Sequence, residues 1–516
     1  MALRVLQTVA AVAVLCRFPV TLTRAGDKTE GTPGQSYVAA VYEHRIILNP
    51  EPHVPLSRTA ALKHMMSNLD VYEEQAARAA EQGAQIIVFP EDGLQGFNFS
   101  RLSISGYLET IPDPQSEDWN PCTQTDRHTH TEVLQRLSCM ARRHSLYLVV
   151  NMPDLQPCPL TSHPTCPPDG RWQFNTDVVF RSDGSLAARY HKHNLYFENA
   201  FDAPPRLEVV TFDTPFAGRF GVFTCFDILF HDPTIRLLEQ GIRQMVYPTA
   251  WMNQLPLLSA VQFQRAFSLG ANTTLLAANI RADSLGMTGS GIFTPGTAIY
   301  HHARAGQPEE GRLLVLRIPV LDTAWLGTEK RAKGQAGGEG DTGGETESQH
   351  CQEDSVSPSP PFPFTSSMMY DPFSFLLLSG SEGQLTVCDG PFCCHLQYRR
   401  SPQGDNAELY ALGAFSGTHT VNGRYNVQVC ALVRCLGSEV SSCGQEVEEA
   451  ESRVDFLLEG KFGTRHVYPS LLGSGMVLEQ PDQVKTTADG RVTMEHSGMT
   501  VGLVTACLYG RVYDQD

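Results

Sequence analysis

Positive charge is scarce in this chain. Lys and Arg number 39 against 56 Asp and Glu, a formal net charge of −17. Such a balance argues against nucleic acid or an anionic membrane surface as a partner. Long apolar runs are scarce as well. Beyond the short run from Val5 to Leu15, no stretch is long and apolar enough for a transmembrane helix. The last residues, Leu508 to Asp516, lack the hydrophobic tail that a lipid-anchor signal needs, so no membrane anchor is expected. No His stands at finger spacing from the cysteines, which makes zinc a poor reading, and no metal site is expected. No internal repeat relates one part of the chain to another.

What is present points to an exported, two-domain globular protein. At 516 residues the chain exceeds one ordinary core. Its 41% hydrophobic and 18% charged residues are globular proportions. Arg4, the apolar run after it and the polar residues from Thr21 to Arg24 fit a signal peptide over residues 1–25, cleaved near Ala25. The mature protein is therefore expected to be secreted and extracellular, with a monomer as the simplest assembly. Most of the 14 cysteines fall in close groups: Cys158 with Cys166; Cys388, Cys393 and Cys394; Cys430, Cys435 and Cys443. In an oxidising compartment such groups are read as disulfides. Asn98-Phe-Ser and Asn272-Thr-Thr are glycosylation acceptors by pattern. Asn98 is the better candidate, because Asn272 leads into the apolar run Leu275 to Ile280, which points to burial.

Between Tyr37 and Leu321 strand and helix signals alternate. Ser57 is placed to cap a helix with apolar residues at Leu62, Met65, Leu69, Tyr72, Ala76 and Ala79, and Gly83 to stop it. Ile86 to Pro90 is a continuous apolar strand of the doubly buried kind. A helix over Glu132 to Arg143 and a strand over Leu146 to Asn151 follow. Thr176–Phe180 and Leu186–Tyr190 flank an Asp-Gly turn and predict a hairpin. Phe220–Thr224, Met245–Pro248 and Leu275–Asn279 complete the core strands, and Asp232-Pro233 predicts a helix start with Gly241 as its stop. The expectation is a layered α/β domain over 37–325, a Gly/Glu/Ser/Pro-rich connection over 326–365, and a smaller, mostly β, Cys-rich domain over 366–516.

Three residues of the first domain carry chemistry at the ends of core strands: Glu91, Lys192 and Cys225. A thiol becomes a strong nucleophile on losing its proton. A carboxylate can take that proton and later activate water. An ammonium nearby favours both the thiolate and the oxyanion formed on attack. Together they suit acyl transfer from an amide without metal or organic cofactor. Taken singly, each has a plainer reading: Glu91 as a capping or solvated acid, Lys192 as a surface charge, Cys225 as a disulfide partner or buried thiol.

The segments Phe89-Pro-Glu-Asp92, Tyr190-His-Lys-His-Asn-Leu195 and Phe223-Thr-Cys-Phe-Asp-Ile-Leu-Phe230 resemble the three signature segments of the nitrilase superfamily. Tyr37–His44, Tyr247–Asn253, Gly286–Ile292 and Glu408–Gly413 extend the resemblance, over nearly the whole mature chain, to its secreted biotinidase/vanin branch. The resemblance implies an αββα sandwich followed by a β-rich base domain, and a catalytic triad that falls on Glu91, Lys192 and Cys225. It also implies a supporting carboxylate at Glu198, which could instead be an ordinary loop acid. The backbone N–H of Phe226 is expected as an oxyanion donor. Trp251 is expected either as a wall of the acyl pocket or as a packed core residue. Segments such as Val133–Met140, Thr211–Gly221 and Ser366–Asp371 lean towards the biotin-amide members. The expected substrates are then biotin amides, namely biocytin and biotinylated peptides, with pantetheine hydrolysis or a biotin carrier or slow acyl acceptor as alternatives. Two features depart from the branch: the Gly/Glu-rich stretch Gly334 to Glu347, and Cys507, where a small residue is usual.

Overall fold

In the strand Ser36–Arg45 every residue but the two ends is buried. It lies in the middle of a sheet and is covered on both faces, which is why the sequence there is a continuous apolar run rather than an alternating one. Ile86–Val88 pairs with it in parallel on one side and Arg312–Pro319 antiparallel on the other. The sheet continues through Tyr147–Pro157, Arg171–Phe180 and Leu186–His191, and Ile280–Arg281 pairs in parallel with the end of Ser36–Arg45. A second sheet runs Ala298–His301, Ser290–Phe293, Thr274–Ala278, Gln244–Pro248, Gly218–Val222 and Thr211–Thr214. The two lie face to face. Tyr37, Val41, Val88 and Val149 of the first interleave with Phe220, Val222, Val246 and Leu276 of the second in one buried cluster. The Tyr37 hydroxyl donates to Gln244 across the gap at 2.8 Å. The computed structural model describes residues 36–158, 164–304, 306–321, 362–401 and 408–516. The expected signal peptide, and the expected connection as far as residue 361, lie outside these.

Helices cover the outer faces. Ser57 accepts from the Ala60 N–H and starts the helix Arg58–Glu81, whose buried Met65, Leu69, Tyr72 and Ala76 pack on the first sheet beside Glu132–His144. Gly83, at φ 78°, lies just beyond the end of the first helix. On the other side, the helix Ala260–Gly270 covers the second sheet, completing the expected αββα sandwich. This helix is buried on nearly all sides because the C-terminal strands pack over it. A Cβ at Gly270 would lie 2.6 Å from the Val467 carbonyl, so glycine permits the close approach. The helix expected between Asp232-Pro233 and Gly241 forms, with an irregular first turn. Asp232 is extended (φ −101°, ψ 124°), a π-helical turn covers His231–Ile235, α-helix follows over Arg236–Glu239, and Gly241 (φ 81°) lies just beyond its end. The Asp232 carbonyl accepts from Asn194 at 2.8 Å instead of joining a helical ladder.

The C-terminal strands form two antiparallel sheets. One contains Phe364–Met368, Asp371–Leu377, Tyr410–His419, Tyr425–Arg434, Leu503–Arg511, Val467–Gly473 and Val477–Leu478. The other contains Glu382–Asp389, Phe392–Ser401, Arg453–Lys461, Arg491–His496 and Gln483–Thr486. Cys394–Cys430 joins the sheets, while Cys388–Cys393, Cys435–Cys443 and Cys158–Cys166 close short loops. Cys430 stands near Cys435 and Cys443 in sequence yet bonds elsewhere. Residues five apart along an extended segment face opposite sides, and Cys430 belongs to the inter-sheet core while Cys435 faces the N-terminal domain. Cys122–Cys139 ties a loop to the helix Glu132–His144, a pairing that no local grouping signalled. Cys225 and Cys507 are free and buried.

Candidate active site

The strand Gly218–Val222 ends in a tight turn, Cys225–Leu229, that carries the thiol. Cys225 has φ 46°, a left-handed conformation costing a non-glycine residue about 1 kcal/mol. Fixed partners hold it there. The Tyr247 hydroxyl donates to the Cys225 carbonyl at 2.8 Å. Asp227, fully buried, accepts from the Thr224 N–H (3.0 Å), the Tyr190 hydroxyl (2.7 Å) and both the backbone and side-chain N–H of Asn194. The Thr224 hydroxyl in turn donates to Asp177 at 2.7 Å. The turn is thus tied to two strands of the opposing sheet.

Glu91 follows the strand Ile86–Val88, and Lys192 follows Leu186–His191. Both are buried, and the Lys192 ammonium donates to Glu91 Oε1 at 2.6 Å. The same ammonium donates to Glu198, whose other oxygen accepts from Asn175 Nδ2 at 2.8 Å. Asn175 also donates to Glu91 Oε1 at 2.8 Å, so one amide and one ammonium bridge the two carboxylates. The second oxygen of Glu91 accepts the Ala250 N–H at 2.9 Å. Behind Asn175, Asn151 donates to its carbonyl at 2.6 Å and to Asp177 at 2.8 Å, and accepts the Asp92 N–H at 2.9 Å. Glu91, Lys192 and Cys225 line one cavity.

Burial governs the electrostatics. The Cys225 thiol is pushed well above its usual range, first by burial and then by the charge of Glu91. Lys192 and hydrogen bonds from Thr249 and the Ala250 N–H oppose this without overcoming it. The expectation that Lys192 favours the thiolate holds for its direction, but the balance lies with the neutral thiol. Burial alone would discharge Lys192, yet Glu198, Glu91 and Cys225 hold its ammonium firmly charged. Burial raises Glu198, with Lys192 opposing. Asp92 and Asp177 are also raised well above the carboxylate range by burial.

Residues 50–286 match the carbon-nitrogen hydrolase family and residues 362–516 the vanin C-terminal domain. A biotinidase from Takifugu rubripes is 67% identical, covering 93% of this chain and 95% of its own length. The chain belongs to the biotinidase family. Like its family, it is a carbon-nitrogen hydrolase acting on amides. Bovine biotinidase is 50% identical, covering 98% of this chain and 97% of its own, and bovine pantetheinase 44%, covering 93% and 90%.

In this biotinidase-family chain the cavity divides at Cys225. The larger arm, of about 1160 Å³, is lined by Glu91, Lys192, Glu198, Phe97, Phe197 and Met287, among others. The smaller, of about 450 Å³, is lined by Phe226, Leu229, Trp251, Leu258 and residues of the C-terminal domain. Trp251 is a half-buried wall of the smaller arm, oriented by its indole N–H donating to the Leu258 carbonyl at 2.9 Å. Asn98 is exposed at the rim of the larger arm, with φ 67°. Asn272 is exposed too, against the expected burial. It sits at φ 49° in the turn after Gly270, two residues before the apolar strand Thr274–Ala278. Sequence reasoning missed Asn175, Asn151, Asp177 and Tyr247. Asn151, Asn175 and Asp177 interrupt apolar strands with buried polar groups, and that interruption was the available signal.

Proposed function

We propose that this enzyme hydrolyses biotin amides, such as biocytin and biotinylated peptides, to free biotin and lysine or a lysyl peptide. The family membership supports the acyl group, and the meeting of Glu91, Lys192 and Cys225 in one cavity carries the mechanism. Glu91 takes the thiol proton as Cys225 Sγ bonds to the amide carbonyl carbon. The carbonyl π electrons move onto oxygen, and the oxyanion is held by the Lys192 ammonium and the Phe226 N–H. The C–N bond then breaks, and the amine leaves with the proton held on Glu91. Water, giving a proton to Glu91, attacks the thioester; the C–S bond breaks, biotin departs, and the sulfur recovers its proton. A raised thiol fits this sequence, since deprotonation is timed to the arrival of a carbonyl. Glu198 and Asn175 act as positioning residues for Lys192 and Glu91. No step calls for a metal or organic cofactor.

The five disulfides among the described residues support a secreted protein. Asn98 and Asn272, both exposed, are its candidate glycosylation sites. Side-by-side turnover of biocytin and pantetheine by wild type and Cys225→Ala tests the reading. The expected result is preference for biocytin and no turnover by the variant. Preferred cleavage of pantetheine, or biocytin cleavage that survives the substitution, would contradict it.

A further inference from the structure

The position of the proton donor decides which arm of the cavity receives the acyl group. Glu91 and Lys192 line the larger arm and not the smaller one. The departing amine needs the proton that Glu91 holds, so it leaves on that side. The acyl chain, on the other side of the carbonyl carbon, extends into the smaller arm.

That arm is a two-domain chamber. Its lining includes His419, Asn422 and Tyr425, around the turn between Tyr410–His419 and Tyr425–Arg434 of the C-terminal domain. The turn is fitted to this spot. Asn422 takes φ 59°, where Asn is tolerated. At Gly423 (φ 140°) a Cβ would lie 2.7 Å from the ring of Phe226, the residue after the nucleophile. Asp371 bonds Nδ1 of His419 at 2.8 Å and fixes its ring. Two amide side chains remain. Asn422 and Gln254 line the arm, and neither side chain makes a hydrogen bond among the described residues.

We propose that Asn422 and Gln254 are specificity-determining residues of the acyl subsite, their amides recognising the cyclic urea of a biotinyl group. This rests on the biotin-amide reading above. A cyclic urea presents one carbonyl acceptor between two N–H donors, and a primary amide presents the complementary donor and acceptor. Phe226, Trp251 and Leu258 line the same arm and offer apolar surface to the bicycle and chain. A substrate without the urea leaves both unpaired, which is how a hydrogen-bonding pocket discriminates most strongly.

The test uses the full chain with two Nε-acyl-lysines: biocytin, and an analogue whose acyl group is 5-cyclopentylpentanoyl, with no urea. Wild type is expected to prefer biocytin in kcat/KM by roughly a hundredfold or more. Asn422→Asp, which keeps the tolerance for a left-handed turn, and Gln254→Met should each lose about tenfold on biocytin, mainly through KM. Both should cleave the urea-free amide within about threefold of wild type, given the size of one lost hydrogen bond. Variants that keep the wild-type preference overturn the proposal. So does an equal loss on both substrates in both variants, which would make the two residues structural. A wild type that cleaves both amides equally overturns recognition of the urea alone. A wild type that cleaves neither overturns the biotin-amide reading, and this proposal with it.

Discussion

A thiol beside a carboxylate and shut away from water is hard to ionise, and Cys225 meets both conditions. It is therefore expected to behave unlike the thiolate of a Cys–His pair. Alkylation of the resting enzyme by iodoacetamide should be slow at pH 7 and still climbing at pH 9, read as loss of activity against time. A rate already flat by pH 7 would mean a preformed thiolate. Glu91 is the complementary test. With its oxygens fixed by Lys192, Asn175 and the Ala250 N–H, Glu91→Gln preserves size and removes the proposed base. Turnover of biocytin should fall by about a hundred- to ten-thousand-fold, while thermal stability, read by differential scanning, changes far less. That Glu91, Lys192 and Cys225 would line one cavity was legible because each stands in a long signature segment. The amides behind them were not, since Asn151 and Asn175 read as breaks in apolar strands until the fold brings them behind Glu91.

The element that matters most is the turn Cys225–Leu229. Asp227 gathers Thr224, Tyr190 and Asn194, so Asp227→Ala leaves several buried donors without an acceptor. Loss of roughly 1–3 kcal/mol of stability is expected, measured by urea denaturation. Activity should fall with it, because Cys225 depends on the same turn for its left-handed backbone. Local signals read the long elements well. Ser57, the three-and-four spacing up to Ala79, and Gly83 mark the helix Arg58–Glu81 with little ambiguity. The same signals held at Asp232-Pro233 and Gly241, although the Asp232 carbonyl is taken up by Asn194 and the first turn is π-helical. A cap and a stop specify where a helix lies, while partners distant in sequence shape its irregular turn.

At the scale of the molecule, the C-terminal domain is part of the site. Arg511, fully buried, donates to the Leu229 carbonyl of the nucleophile turn at 2.7 Å and lies between the rings of Tyr425 and Tyr513. Its Nη2 pairs with Asp516 at 2.5 Å. Arg511→Met leaves that carbonyl and carboxylate unpaired, and a loss of about 3 kcal/mol is expected in denaturant titration. Sequence patterning separated the two domains but could not join them, because contacts such as Arg511 with Leu229 and Gly423 with Phe226 span about 200 to 280 residues of chain without any local trace. The sandwich also carries a pH signature. Glu43, on a strand of the first sheet, accepts from Thr288, Gly289 and Ser290, and burial pushes its carboxyl up to about 7. The folded state then keeps a proton that the unfolded chain releases near pH 4.5. The stability Glu43 contributes is therefore full below that pH and is lost as pH rises to about 7, by no more than about 3 kcal/mol. Glu43→Gln should make the fall in stability between pH 5 and 7 shallower; an unchanged slope would place the proton elsewhere.

The central claim is a thioester on Cys225, formed where Glu91 and Lys192 meet it. Intact-mass and peptide mapping of enzyme mixed with the p-nitrophenyl ester of biotin and quenched in acid within one turnover reads it directly. The expected result is a single biotinyl adduct on the peptide containing Cys225, absent from Cys225→Ala. Release of biotin at the wild-type rate with that peptide unmodified, or with the adduct on another residue, would contradict it.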